Sequence, residues 1–428
     1  MQLSDAEHSM LAGEAGSGVQ RCMQVLVKLG QAFGASKLVK ITSAHVIPNI
    51  PVTLLKELTE GIDSVPVMTT LHPHMSAFCP KDWQRMGIAP DYAKDKLVDI
   101  QKRAELFAAK GFNQTYTCYQ PTIGSLPNKG DFVSWIGSGG QILINSTVGA
   151  RCNRDGALIT LAAAITGRAP YYGLFLDENR LARIHVTFEG IDVNQLSKVE
   201  LSAIGYYLGT QAKSYNIAIE GIDRQMPIDY LKQLMIPLTV TGSVGICHVP
   251  GVTPEANHLK EAFGGLTPLK KLAINRRIIN QALSHYTISN QNIVQTTSSP
   301  GTFTEMVILG CPHLTIQEVR EIALFLTNRR IPKGRQLWIG LSHQQYQLAK
   351  EMGYSSTIEA AGGTLASACM STVPDAPIPH PIQRVMTSSM KAAHYVSQLT
   401  NGRVHVGVAN VQQCLKALMM PIEYKGVE

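Results

Sequence analysis

Apolar runs recur along this chain from end to end, each followed by a loop marked by Gly or Pro and then by a stretch of helical periodicity. Several runs, such as 305–309 and 337–341, are nearly continuous instead of alternating. A strand that is apolar on both sides must be covered on both, which is the situation of parallel strands joined by helical crossovers. Strands are predicted at 38–41, 65–71, 114–118, 141–146, 183–188, 217–222, 244–249, 305–309, 337–341 and 404–408. Helices are predicted at 4–33 (broken near 13–18), 93–110, 155–166, 195–208, 269–285, 315–326 and 411–419. The fold class that follows is α/β, with several lobes of parallel or mixed sheets flanked by helices. A chain of 428 residues holds two or three such lobes, divided here at 1–150, 151–285 and 286–428.

Composition narrows the function classes. The formal charge of +7 is mild for this length and the basic residues form no long run interleaved with aromatics, which argues against nucleic-acid binding. The longest apolar stretch, 158–166, is too short to span a membrane. Ser4-Asp-Ala-Glu7 is a capping box that opens a helix, not a secretory signal. Eight cysteines without regular spacing, and no CxxC, point to reduced thiols and a cytoplasmic location.

Three of those cysteines stand at junctions between predicted elements: Cys118 in Thr117-Cys-Tyr-Gln-Pro121, Cys311 in Gly310-Cys-Pro-His313, and Cys369 in Ser367-Ala-Cys-Met370. Ligands of open α/β sheets bind beyond the carboxyl ends of strands, near helix starts. Three thiolates on one metal centre leave a position open for chemistry. Three small buried residues would fit the same positions. Cys22, Cys414, Cys247, Cys79 and Cys152 read as ordinary packing residues, and no histidine pair has the helical spacing of a zinc protease. Asn145, Ser146 and Arg151 form a cluster able to hold a carboxylate, or equally a rigid turn. Lys391 and His394 share a helical turn just after Ser388-Ser389, a fair place to bind an anion.

Together these motifs resemble the aconitase X family, a hydro-lyase branch of the aconitase superfamily. The likeness runs over essentially the whole chain, from Leu11-Ala-Gly-Glu-Ala-Gly16 and Ser43-Ala-His-Val46 through Asn145-Ser146, Gly149-Ala-Arg151, Tyr172-Gly173 and Asp177-Glu-Asn-Arg180. It continues with His248-Val-Pro-Gly-Val-Thr-Pro-Glu-Ala256, Gly310-Cys-Pro-His313, the Cys369 segment and Lys391-Ala-Ala-His-Tyr395. The resemblance implies Cys118, Cys311 and Cys369 as ligands of an iron-sulfur cluster (2Fe-2S or 4Fe-4S) or a mononuclear iron. It further implies catalytic roles for His72, Ser138 and Lys391, and substrate contacts from Pro73, Asn145, Ser146, Arg151 and Lys391. Family members occur fused or split, and this chain resembles the large subunit of a heterodimer. The small swivelling domain, with a serine thought to act as base, would then reside in a separate small subunit.

Known substrates of the family are cis-3-hydroxy-L-proline and mevalonate 5-phosphate. Three departures bear on the choice: His72-Pro73 replaces the family's frequent Asn-Pro, Gly137-Ser138 replaces Glu-Ser, and Pro48-Asn-Ile50 replaces Gly-Val-Ser. They count against the phosphomevalonate assignment, so cis-3-hydroxy-L-proline is the expected substrate, dehydrated to Δ1-pyrroline-2-carboxylate. In the expected mechanism the iron acts as Lewis acid on the departing hydroxyl. Lys391, helped by Arg151, clamps the carboxylate, and His72 donates a proton to the leaving oxygen. The rival readings are mevalonate 5-phosphate dehydration, a metal-dependent hydrolase and a non-catalytic subunit.

Overall fold

The computed structural model describes residues 1–74, 78, 80–286, 304–371 and 378–420, which leaves Cys79 outside the described residues. Three parallel sheets form the frame. In the first, Ser43–Val46 pairs with Met68–Leu71 on one side and Phe132–Trp135 on the other, and Arg151–Cys152 completes the edge. The second runs in the order Lys270–Ile274, Ile184–Phe188, Ile217–Ile219, Cys247–His248. The third runs Thr364–Ala366, Gln336–Gly340, Met306–Leu309, Arg384–Thr387, His405–Val408. Strands Met306–Leu309 and Gln336–Gly340 are buried along nearly their whole length, as their unbroken apolar sequence requires.

A short antiparallel pair, Leu38–Lys40 with Arg168–Pro170, returns the chain to the first sheet. Helix Ala157–Thr166 buries Leu161 and Ile165 in the same core as Met23 and Leu26 of helix Ser17–Ala32. The first unit therefore runs past the boundary expected at residue 150. Its opening helix begins on the Ser4 capping box and breaks at Gly13 and Gly16, whose φ values of 94° and 103° lie where side-chain-bearing residues are strained.

Three predicted elements take another form. Residues 141–146 form no strand: they belong to helix Ser138–Leu143 and the π-helical turn Ile144–Val148. A short apolar run does not by itself distinguish a buried strand from a buried helix. The helix predicted at 269–285 divides into strand Lys270–Ile274 and helix Arg276–Ser284, because the Asn275 side chain caps the second by accepting from the Ile278 N–H. Residues 114–118 form no strand either and run as a loop beside Met68–Leu71, where the Thr117 N–H and the Thr115 hydroxyl both donate to the Leu71 carbonyl.

Helices Lys198–Ala212 and Ile228–Thr241 cross unusually closely. A Cβ at Gly205 would lie 2.0 Å from the Leu234 carbonyl oxygen, and one at Gly209 2.1 Å from Thr241 Oγ1. The absent side chains let the two backbones touch, and this brings Ile236 and Thr239 against Gly139 and Ser138 at the start of helix Ser138–Leu143. All three units thus meet around one hollow.

Candidate active site

That hollow is a cavity of about 260 Å³ at the carboxyl ends of two of the sheets. His72 enters it just after strand Met68–Leu71, and Ser138 three residues after Phe132–Trp135. From the third sheet come Cys311 after Met306–Leu309, Cys369 after Thr364–Ala366, and Lys391 after Arg384–Thr387. Five polar side chains from five strand ends meet as the geometry of open α/β sheets prescribes. The sixth, Cys118, arrives on the loop pinned to Leu71.

Each junction has a local cause. Gly310 precedes Cys311 at φ 99°, and a Cβ there would lie 2.2 Å from the Gly340 carbonyl oxygen, so the turn admits only glycine. The Cys369 N–H donates to the His74 carbonyl, fixing that loop to the first unit. Lys391 occupies the first turn of helix Met390–Leu399, whose cap is the Ser389 side chain accepting from the Ala392 N–H. Ser138 Oγ lies 2.9 Å from Thr239 Oγ1, which holds it against the helix pair.

Cys118 is half-buried, and desolvation pushes its thiol up to about 12, with Cys311 and Cys369 adding to the rise. The backbone N–H of His313 opposes this by donating to Cys118 Sγ at 3.3 Å. Such a bond favours the thiolate and is a means by which proteins tune sulfur ligands. Among the described residues no three Cys, His, Asp or Glu side chains stand close enough together to grip one ion. A cluster spans more than one iron, so its ligands surround a larger object than one ion. An all-thiol donor set around a single cavity is the chemistry of an iron-sulfur centre or a thiolate-held iron, not of a two-histidine zinc centre.

His72 is held rigidly. Its Nδ1 lies 3.3 Å from the Pro73 carbonyl oxygen, and the His45 ring stands edge-on at 5.6 Å. Burial first, then neighbouring His45, Lys391 and His313, hold the imidazole pKa well below its usual range. With the Nδ1 proton bonded to Pro73 and the ring neutral, Nε2 has no proton to donate at neutral pH. His313, lowered to about 4 by burial, donates from Nε2 to the Ala368 carbonyl and so braces the loop before Cys369.

Asn145, Ser146 and Arg151 are not among the residues that line the cavity and are bonded within the chain. Asn145 joins the Cys152 backbone through both ends of its amide and also donates to the Gly245 carbonyl. Ser146 Oγ accepts from the Cys247 N–H at 2.9 Å, tying the first unit to the second. Arg151 is bonded to the Phe175 carbonyl and to Asp177 and does not line the cavity with Lys391. Pro73 contributes its carbonyl to His72, not a wall. The cavity does include Tyr395, to which the sequence reading gave no role; its place four residues after Lys391 on one helix face was the available signal.

Comparison with known proteins places this arrangement. Profiles of the first, second and third domains of aconitase X match residues 1–178, 182–284 and 304–420 respectively. The chain is 30% identical over 427 residues to the phosphomevalonate dehydratase large subunit of Methanocaldococcus jannaschii, covering 97% of this chain and 100% of that one. It is 28% identical to the cis-3-hydroxy-L-proline dehydratase of Pseudomonas aeruginosa, covering 97% of this chain and 70% of that protein. The crystal structure of Thermococcus kodakaraensis aconitase X in its holo form superposes with a TM-score of 0.80 at 29% identity, covering 97% of this chain and 99% of that one.

Proposed function

The chain belongs to the aconitase X family and is a hydro-lyase, and we propose that it dehydrates cis-3-hydroxy-L-proline to Δ1-pyrroline-2-carboxylate with an iron-sulfur cluster held by Cys118, Cys311 and Cys369. The observation that carries this reading is the convergence of three thiols and one lysine in a single cavity at strand ends. When bound, such a cluster with an open iron position supplies Lewis acidity at the departing hydroxyl.

The chain's own residues do the rest. Lys391 pairs with the substrate carboxylate and stabilises the charge that grows on it as the α proton leaves. Ile47, Ile136, Ile236 and Met370 line the cavity, exclude water and so strengthen the lysine's hold. The proton is taken by a group outside these residues, a serine of a small subunit. Relatives named as large subunits support such a partner. A cytoplasmic location belongs to the same reading, supported by cysteines that are free wherever described.

A second reading, mevalonate 5-phosphate, is favoured by identities of 30% and 32% to large subunits of that specificity. Charge weighs against it. Lys391 is the single lysine or arginine among the described lining residues, whereas a phosphate adds about −1.5 to −2 charges to the carboxylate's one.

The test is co-expression with the small subunit under anaerobic conditions, an iron count, a visible spectrum and assay against both substrates. The reading expects iron, a coloured complex and turnover of the hydroxyproline. Cys311→Ser should lose both iron and activity; retention of both by that variant removes the cluster from the mechanism.

A further inference from the structure

One wall of the cavity bears on which hydroxy acid it accepts. The Pro73 carbonyl can only accept a hydrogen bond, so the His72 Nδ1, 3.3 Å away, carries the ring's proton. In the neutral ring Nε2 therefore presents a lone pair, and it makes no hydrogen bond among the described residues. Beside it stands Gly137, at φ 92°. A Cβ there would lie 3.0 Å from His72 Cδ2 and 3.1 Å from Nε2. Any side chain at 137 would press on that edge of the imidazole. The glycine keeps it open toward the cavity that both residues line. The ring cannot turn away easily, because His45 packs edge-on against it and is itself fixed by Thr70 Oγ1, 2.8 Å from His45 Nδ1.

The result is one hydrogen-bond acceptor, rigidly aimed, across a cavity whose cation is Lys391. A carboxylate on Lys391 leaves Nε2 facing whatever the substrate carries next to it. A methylene there, as in mevalonate 5-phosphate, would leave the acceptor unpaired, whereas an N–H would meet it. Resting on the dehydratase reading above, we propose that His72, with the space left by Gly137, is the residue that selects an amine-bearing β-hydroxy acid, by accepting a hydrogen bond from its N–H. Sites that hydrogen-bond a substrate N–H discriminate strongly against analogues that lack it, because the buried acceptor is then left unpaired.

The experiment uses the loaded two-subunit complex and compares cis-3-hydroxy-L-proline with cis-2-hydroxycyclopentane-1-carboxylate, which keeps carboxylate, hydroxyl and ring but has no N–H. The wild-type complex should prefer the amino acid, and His72→Phe, which preserves ring volume, should reduce that preference in kcat/KM by about ten- to a hundredfold. The loss should fall mainly on KM, with iron content and visible spectrum unchanged. Gly137→Ala, which displaces the ring without removing it, should reduce the preference in the same direction and covers the case in which His72→Phe does not fold. Equal losses on both substrates would mean that Nε2 serves the shared hydroxyl, and the proposal falls. Unchanged preference in both variants overturns it as well, while leaving the hydroxyproline reading intact. Turnover of mevalonate 5-phosphate alone by the wild-type complex overturns both.

Discussion

Lys232 is fully buried, and its replacement by methionine tests how the three units are held around the cavity. Its Nζ lies 2.9 Å from Glu318 and 3.3 Å from Asp229, and 4.6 Å from the centre of the Tyr119 ring beside Cys118. Glu318 follows Cys311 in the third unit and caps helix Ile316–Leu326 through a reciprocal pair of bonds with Thr315. Burial alone would raise the Glu318 pKa, but Lys232 and then Lys198 overcome that and hold it at about 2. Against an ordinary glutamate this depression corresponds to about 3 kcal/mol of stability at neutral pH. Removing one partner of a buried pair costs about 3–5 kcal/mol. Lys198, 2.8 Å from the same carboxylate, remains in Lys232→Met and places the expected loss near the lower figure. The folded pKa lies below the unfolded one, so the contribution is complete above about pH 4.5 and disappears as pH falls through about 2. Urea denaturation should give a gap between wild type and variant of about 3 kcal/mol at pH 7 that narrows on acidification, and Lys232→Met with Glu318→Gln should recover most of it. A gap below about 1 kcal/mol at pH 7, the range of exposed pairs, or one that widens in acid, would refute this account.

Other substitutions separate the site from its scaffold. Lys391→Met should keep its iron yet lose about a hundredfold or more in kcat/KM, since it removes the cavity's charge-assisted contact to the carboxylate; steady-state kinetics on the loaded complex reads this. Arg151→Ala should change KM by less than about threefold, because an arginine outside the cavity contributes nothing to substrate binding. It should lower thermal stability modestly through the lost contacts to Asp177 and the Phe175 carbonyl. Gly310→Ala should destabilise by at least about 2 kcal/mol in urea titrations, from backbone strain and a collision with Gly340, and should also impair iron retention at Cys311.

The fold class was legible because a buried parallel strand needs apolar residues on both faces, a demand visible in Met306–Leu309 and Gln336–Gly340. The helix ends were legible where side chains cap them, as at Ser4, Thr315 and Ser342. Where one apolar run fits two geometries the sequence was silent, and residues 141–146 went to the wrong one. Helix Ile228–Thr241 escaped notice for a related reason. Pro237 lies inside it, and its place is secured by glycines on the facing helix that sequence alone cannot pair with it.

The site divides along a different line. The three cysteines, His72, Ser138 and Lys391 reach one cavity, whereas Asn145, Ser146 and Arg151 do not, although both groups combine polar residues with strand–helix junctions. Asn145 and Arg151 differ from His72 in their hydrogen bonds. Every strong donor and acceptor of Asn145 meets backbone of this same chain, and Arg151 is satisfied by a carbonyl and a carboxylate. His72 Nε2, by contrast, makes no hydrogen bond among the described residues. A polar atom that finds no partner inside the fold is available to a ligand. That difference depends on residues far apart in sequence, such as Gly245 for Asn145 and Gly137 for His72, and so becomes readable only once the three sheets have brought them together.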